Sequence, residues 1–440
     1  MRDRRAASPP PLARLLFGLV ARSEEKRTVA GDMDEWYAEI VRLEGSRRAR
    51  RWYWAQVVAA LPEFLRLAFY WRTVMLKNDL KSASRDLGRQ KMFSFIKIAG
   101  LAVGLACVWL ILLYVRFETS FDRFHADAGR IYRVVSEDKG YIFPKSNKLA
   151  VTAAPLASTL GRECPEVEIT ARLESRKDIL LRSEMSAFHE DGIAADKNFF
   201  RMFSFPLVRG DADRALAEPG SVVLSERLAR SLFKTADPVG QAVILGGTKA
   251  DPLGQTITLG GASEARVTGV FRDVPENSHL RFEYVLSSAE GKDEDWSDLD
   301  YFTYVKLRPG VSVGALQKKM QAVVAAHTGE KEAKVGLSLL PLTDIHFATD
   351  LVFGMETTTD RRLVVLFSLI AVFILVLACI NYMNLATARF AQRSKEVGIR
   401  RVVGADRRHL IRQFLIESLL VSGLAALLAL AFLAAVLPAF

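Results

Sequence analysis

Three cysteines in 440 residues are too few for a disulfide framework, and their placement excludes one. Cys107 and Cys379 fall inside apolar runs, and Cys164 is alone between them, so it reads as a small buried hydrophobe rather than a reactive thiol. The chain also lacks a phosphate-binding loop: Gly246-Gly247-Thr248-Lys249 does not have the G-x-x-x-x-G-K-[ST] spacing, so ATP hydrolysis is expected from a partner subunit. No H-E-x-x-H occurs. The six histidines, His125, His189, His279, His327, His346 and His409, are scattered, and each reads as a surface or hydrogen-bonded residue, with no metal or cofactor expected. Ser225 stands in Leu224-Ser225-Glu226 rather than G-x-S-x-G and reads as a helix cap. The acidic runs Glu163, Glu166, Glu168 and Asp293, Glu294, Asp295 read as solvated faces. No catalytic residue is nominated.

The most informative absence is of charge. Ile98–Val115, Leu363–Ala388 and Ser418–Phe440 contain no Asp, Glu, Lys or Arg. A helix needs roughly 20 apolar residues to cross a bilayer, so each run predicts a span. The remainder is too charged to lie in a membrane, which excludes both a purely soluble enzyme and a many-span channel or carrier. Residues 1–97 carry 20 Lys+Arg against 11 Asp+Glu, residues 389–417 carry 8 against 3, and residues 116–362 carry 32 against 36. Short basic flanks stay inside, so Lys77, Lys81, Arg85, Arg89, Lys91 and Lys97 predict a cytoplasmic N-terminus and an extracytoplasmic central segment, with Arg361 and Arg362 a weaker opposing signal. The net charge of +10 therefore reads as topology and not as a nucleic-acid surface. Leu15 to Ala21 is too short for a signal-peptide core.

Seven segments follow. Residues 1–75 form a basic, aromatic, helical cytoplasmic prefix whose Trp52-Tyr53-Trp54 and Phe69-Tyr70-Trp71 suit a membrane interface, Pro62, Glu63 and Arg66 breaking any span. In 76–97, Leu76, Leu80, Ala83 and Leu87 recur at helical spacing, the pattern of an interfacial amphipathic helix or of a helix packed on the prefix. Residues 98–117 are the first transmembrane helix. Residues 118–360 form an α+β domain, with strands at 131–135, 222–224, 243–245, 266–270 and 302–307 and helices at 154–162, 225–233 and 313–327. Asp237-Pro238-Val239-Gly240-Gln241 recurs as Asp251-Pro252-Leu253-Gly254-Gln255, two strand-leading turns of one chemistry. Residues 361–388 and 413–440 are the second and third spans. The fold class is thus an α-helical membrane protein of three spans with a large α+β insert.

The loop 389–412 contains Lys395-Glu396-Val397-Gly398-Ile399-Arg400-Arg401-Val402-Val403-Gly404-Ala405-Asp406. Gly404 can end one helix and Asp406 cap the next. Ile399, Val402 and Val403 with charges between them suit a membrane surface or a cytosolic partner, and charge alone favours the membrane anchor.

The order Asn381-Tyr382-Met383-Asn384-Leu385-Ala386-Thr387-Ala388-Arg389, Lys395 to Arg401, Gly404-Ala405 and Gln413-Phe414-Leu415-Ile416-Glu417-Ser418 resembles the C-terminal region of MacB/FtsX-like ABC transporter permeases. Phe117-Glu118-Thr119-Ser120-Phe121-Asp122-Arg123-Phe124-His125 and Gly269 to His279 resemble the family's periplasmic core domain, and residues 1–72 the prefix of some duplicated bacterial permeases. The resemblance covers about 78–440. It implies a type VII ABC permease of the bacterial inner membrane that conveys motion from a separate cytosolic ABC ATPase to the periplasmic domain, exporting or extracting peptides, lipoproteins or drugs. By motif, Glu396, Gly398, Ile399, Arg400, Arg401 and Gly404 would form the ATPase-coupling helix. It also implies a homodimer or a pseudo-dimer with a second permease half, contact with lipids, and a periplasmic adaptor or substrate protein. The family's fourth span is missing, so these residues are expected to be a truncated chain or the first half of a duplicated permease. The alternative is a membrane-anchored envelope interaction or signalling protein not coupled to ATP.

Overall fold

The computed structural model describes residues 9–20, 23–89, 91–138, 146–235, 237–250, 256–288, 295–296, 299–328, 335–403 and 407–437. In chain order the helices α1 (Pro11–Val20), α2 (Ser23–Glu44), α3 (Ser46–Arg89) and α4 (Lys91–Thr119) come first. Strands β1 (Ile131–Asp138) and β2 (Lys148–Leu149), helix α5 (Leu156–Glu163), strands β3 (Val167–Arg182) and β4 (Ala187–Ala195), helix α6 (Phe199–Met202) and strands β5 (Leu207–Arg209) and β6 (Ser221–Ser225) follow. Next are α7 (Glu226–Phe233), β7 (Ala242–Ala250), β8 (Thr256–Phe271), β9 (Tyr284–Ser287), β10 (Phe302–Leu307), α8 (Val313–Thr328), β11 (Val335–Pro341) and β12 (Leu351–Val352). The chain closes with α9 (Arg361–Val402) and α10 (Arg407–Val436). It divides into two compact units, Met1–Trp109 with Phe373–Phe440, and Leu110–Val372.

In the helical unit, Gly45 takes φ +89°, a left-handed turn open to glycine, and so separates α2 from α3. Ala13, Met33, Tyr37, Ala49, Tyr53 and Val57 make a small core in which Tyr37 meets Tyr53 edge to face at 5.8 Å. Helix α3 runs unbroken through Pro62. The segment 76–97, read as one helix, is divided: 76–89 close α3 and 91–97 open α4. Of its described side chains, Asp79 and Ala83 are buried while Leu80 is exposed.

Among the described residues, three helical stretches are long and apolar enough to cross a membrane: Lys91–Thr119, Arg361–Ala388 and Leu410–Val436. Two of them approach through small residues. Gly100 and Gly104 lie one turn apart on α4, and a Cβ added at Gly104 would sit 2.8 Å from the Ala378 Cβ of α9. Without water to drive helices together, such close backbone approach is what holds spans in contact. Leu101, Ala102, Ala378 and Ala425 complete this contact.

The other unit is built on a twelve-stranded mixed sheet in the order β12-β2-β1-β10-β3-β4-β9-β6-β8-β5, with β11 also paired to β1 and β7 bridging β3 and β8. All five strands read from the sequence are present. Ser225 caps α7 as its composition predicts, accepting from the Leu228 N–H at 3.1 Å. Strands β3 and β4 carry too many charges to announce themselves, yet they form the middle of the sheet. The acids Glu163, Glu166 and Glu168, read as solvated, are partly exposed, and they also meet His327, Lys319 and Arg130 plus Lys306 respectively. Asp251 to Gln255, the second copy of the short repeat, lies outside the described residues. Cys164 is fully buried with Leu156, Leu160, Val305 and Leu316, and burial raises its thiol pKa.

Candidate functional site

Residues 389–402, read as part of a loop that carries a short helix, are the tail of α9, a single helix of 42 residues. Glu396, Gly398, Ile399, Arg400 and Arg401 all lie on its last turns, while Gly404 and the cap position Asp406 lie outside the described residues. Nothing stands within 4 Å of a Cβ placed on Gly398. Ile399, Val402 and Val403 are 66%, 90% and 82% exposed. Spacings of three and four put them on one face, an apolar ridge at the end of a helix. Water gains nothing from leaving three branched apolar side chains uncovered, so this ridge suits a partner or a membrane surface.

The second arrangement lies wholly within the sheet unit, where segments distant in sequence converge on a buried polar network. Arg133 on β1 has no solvent exposure, and its guanidinium is bidentate to Glu356, Nη1 at 2.5 Å from Oε1 and Nη2 at 3.1 Å from Oε2. The same guanidinium donates to Tyr304 Oη from Nε at 3.0 Å and Nη2 at 2.6 Å. Tyr304 Oη therefore has its own proton to give to His279 Nε2, 2.8 Å away. By that logic the His279 ring proton sits on Nδ1, which lies 2.8 Å from Asp122 Oδ1. Asp122 also accepts from the His279 backbone N–H, and its own N–H donates to the Asn277 carbonyl. Asn277 Nδ2 closes the loop by donating to the Ser120 carbonyl. Asp122 adopts φ +57°, a left-handed conformation that Asp tolerates better than most residues.

Two further links reach the same helix ends. His346 stacks on Phe121 at 3.5 Å, contacts Glu118 Oε2 through Nε2 at 2.6 Å, and holds the Thr357 carbonyl at 3.1 Å through Nδ1. Arg361, the first residue of α9, pairs with Asp344 at 2.6 Å. The residues that leave α4, 117–125, and those that lead into α9, 356–361, are thus fixed to one another through the strands β1 and β10.

Electrostatics follow from this burial. Burial raises the Glu356 carboxyl, but Arg133 outweighs it and holds the group below the usual range. The Arg133 guanidinium is correspondingly raised despite its burial, because Tyr304 and Glu356 face it. Burial raises Tyr304 against the opposing pull of Arg133. At Asp122 burial again raises the carboxyl, and the hydrogen bonds it accepts from His279 override it, leaving a lowered value. His125 is lowered to about 4, chiefly by burial, and its Nδ1 accepts from the Ser204 N–H. The network has neither an open face nor a nucleophile beside a base, so its chemistry is structural. Among the described residues no group of three His, Cys, Asp or Glu is arranged to hold a metal. Gly246-Gly247-Thr248-Lys249 lies in β7, where Gly246 (φ +110°) sits at a bulge.

Apolar helices framing a mixed α/β insert define a membrane protein of the permease type with an extracytoplasmic domain. Residues 94–323 match the MacB-like periplasmic core domain and residues 368–440 the FtsX-like permease C-terminal region. The chain belongs to the MacB/FtsX-like permease family. It is similar to the macrolide export ATP-binding/permease protein MacB of Agrobacterium fabrum, with 25% identity over 366 residues, covering 80% of this chain and 51% of that protein. The protein of the same name from Vibrio parahaemolyticus is 22% identical over 370 residues, with the same two coverages, 80% and 51%. The chain therefore spans about half the length of these curated relatives. A solved structure of the periplasmic region of MacB from Actinobacillus actinomycetemcomitans is 15% identical, with a TM-score of 0.34 over 49% of this chain and 90% of that one.

Sequence reasoning placed Asp122, His125 and His279 in two family-like motifs without giving them a task, and it missed Arg133, Tyr304 and Glu356. The signal was faint: an arginine at an inward position of a strand that otherwise alternates apolar residues. Two outcomes test the network. Removing one partner strands a buried charge, so Glu356→Leu should destabilise the sheet unit by about 3–5 kcal/mol, and the double variant Arg133→Met/Glu356→Leu should lose less; thermal unfolding of the full chain in detergent reads both. The second concerns pH. His125 is neutral in the fold down to about 4, whereas the unfolded group protonates near 6.5, so its contribution is complete above 6.5 and declines as pH falls toward 4. The loss should reach on the order of 3 kcal/mol, and His125→Asn should flatten that part of the unfolding profile.

Proposed function

We propose that this chain is a permease subunit of an ABC transporter, driven by a separate cytosolic ATPase, that delivers ATP-dependent motion to its extracytoplasmic domain. The observation that carries this reading is the exposed ridge of Ile399, Val402 and Val403 at the end of α9, set in the Glu396–Gly404 segment. A passive anchor needs only positive charge. A ridge of branched apolar residues among charges offers a groove on a partner both burial and orientation.

Two supports stand beside it. The relatives' name joins an ATP-binding and a permease part, and residues 368–440 match the FtsX-like permease C-terminal region. The buried network gives the motion a rigid destination, since whatever tilts the outer ends of α4 or α9 must carry β1 and β10 with it. On this reading Glu396, Gly398, Ile399, Arg400, Arg401 and Gly404 form the coupling surface, the basic flanks face the cytoplasm, and the permease works as a homodimer or with a second permease half. Peptides, lipoproteins and drugs are the substrate classes that suit it, with a periplasmic adaptor or substrate protein as the outer partner.

Purification from the native host in mild detergent, with partners identified by mass spectrometry, tests the reading. An ABC ATPase should co-purify, and Val402→Glu/Val403→Glu should cut its recovery by at least about tenfold, the loss of ~1.4 kcal/mol of binding, without lowering the membrane yield of the permease. Absence of an ATPase, or undiminished recovery with the double variant, would reject it.

A further inference from the structure

Within the helical unit, the C-terminal part of α3 lies against the beginning of α10. Asp79 is 5% exposed, and its Oδ2 lies 2.9 Å from Arg412 Nε. Met75, one turn earlier, offers its sulfur to Arg412 Nη1 at 3.5 Å, and Ser82 Oγ accepts from Gln413 Nε2 at 3.5 Å. Ala83, one turn after Asp79 on the same face, is 2% exposed. This stripe is not the apolar one that amphipathicity picks out: a carboxylate is buried at its centre, and burying one is unfavourable unless a partner and a geometry are being fixed.

Arg412 and Gln413 are the sixth and seventh residues of α10, which begins at Arg407. The end of α9, a few residues earlier in the chain, carries the exposed Ile399, Val402 and Val403, and the beginning of α10 is gripped by α3. We propose that α3 is a strap on the beginning of α10 and that Asp79 is a positioning residue, through which the prefix sets how the end of α9 is presented to the ATPase. The inference rests on the ATPase-driven reading above and assigns the prefix a task within it. The Asp79–Arg412 pair puts residues 75–83 and the beginning of α10 on the same side of the membrane, as such a strap requires. Because α3 continues unbroken back to Ser46, movement of the small core around Tyr37 and Tyr53 has a direct path to the beginning of α10.

The test uses the full-length permease co-purified with its ATPase, comparing wild type, Asp79→Asn and the exchanged pair Asp79→Lys/Arg412→Glu. Asp79→Asn should bring down ATPase at the wild-type ratio, yet lower ATP turnover at least about fivefold, the lower range of coupling between linked sites, with the KM for ATP unchanged. The exchanged pair should recover turnover. Wild-type turnover in Asp79→Asn overturns the strap while leaving the ATPase reading intact. Loss of ATPase or of membrane insertion without recovery in the exchanged pair would make Asp79 a folding residue only, which also overturns it. If wild type brings down no ATPase, the functional reading fails, and the strap with it.

Discussion

A guanidinium without access to water sets the terms for the sheet unit. Arg133 can remain charged there only because Glu356 meets it with both oxygens and Tyr304 takes two of its donors. Neither partner is near it in sequence. The segment before α9 that carries Glu356, the strand β10 and the strand β1 must all be in place before the pair forms, so its burial ties the formation of each to the others. Burying charge is a poor way to gain stability over an apolar core, and a good way to make wrong arrangements costly. From Tyr304 the hydrogen bonds continue to the His279 ring, and from the His279 backbone N–H to Asp122, and so to the first turn after α4. One connected set of polar groups thus fixes where two apolar helices meet a sheet.

The helical unit uses different physics for the same purpose. Its spans meet through Gly100, Gly104 and Ala378, where backbones approach because no side chain intervenes. Asp79, a well-buried carboxylate among its described residues, faces Arg412 near the beginning of α10. In both units a buried acid and its partner stand near where a helix begins or ends. Those are the positions at which displacement of a rod would be converted into displacement of its neighbours.

The spans were legible because a run without charge has one common physical cause, and α7 because a serine followed by an amphipathic octet carries its own cap. The family was legible because its motifs are local. The network was not, since Arg133, Tyr304 and Glu356 are separated by more than fifty residues at each step, and each in isolation reads as a strand residue, a strand residue and a loop acid. Strands β3 and β4 were hidden by their charges, whose partners, Lys306 for Glu168 and Arg227 for Glu190, lie far along the chain. The contact of α3 with α10 was not legible because it is made by Asp79, which no apolar periodicity marks. A long-range ion pair leaves no periodicity behind it.

The central claim is that the residues leaving α4, the residues leading into α9 and the strands β1 and β10 form one body. Hydrogen exchange of the full chain in lipid nanodiscs measures this directly, through the amides of Asp122 and His279 on one side and β10 on the other. The account predicts that segments 117–125 and 277–282 exchange as slowly as β10 and open together with it. Exchange at the rate of exposed loops, with β10 still protected, would mean that the helix ends move independently of the sheet and would contradict the account.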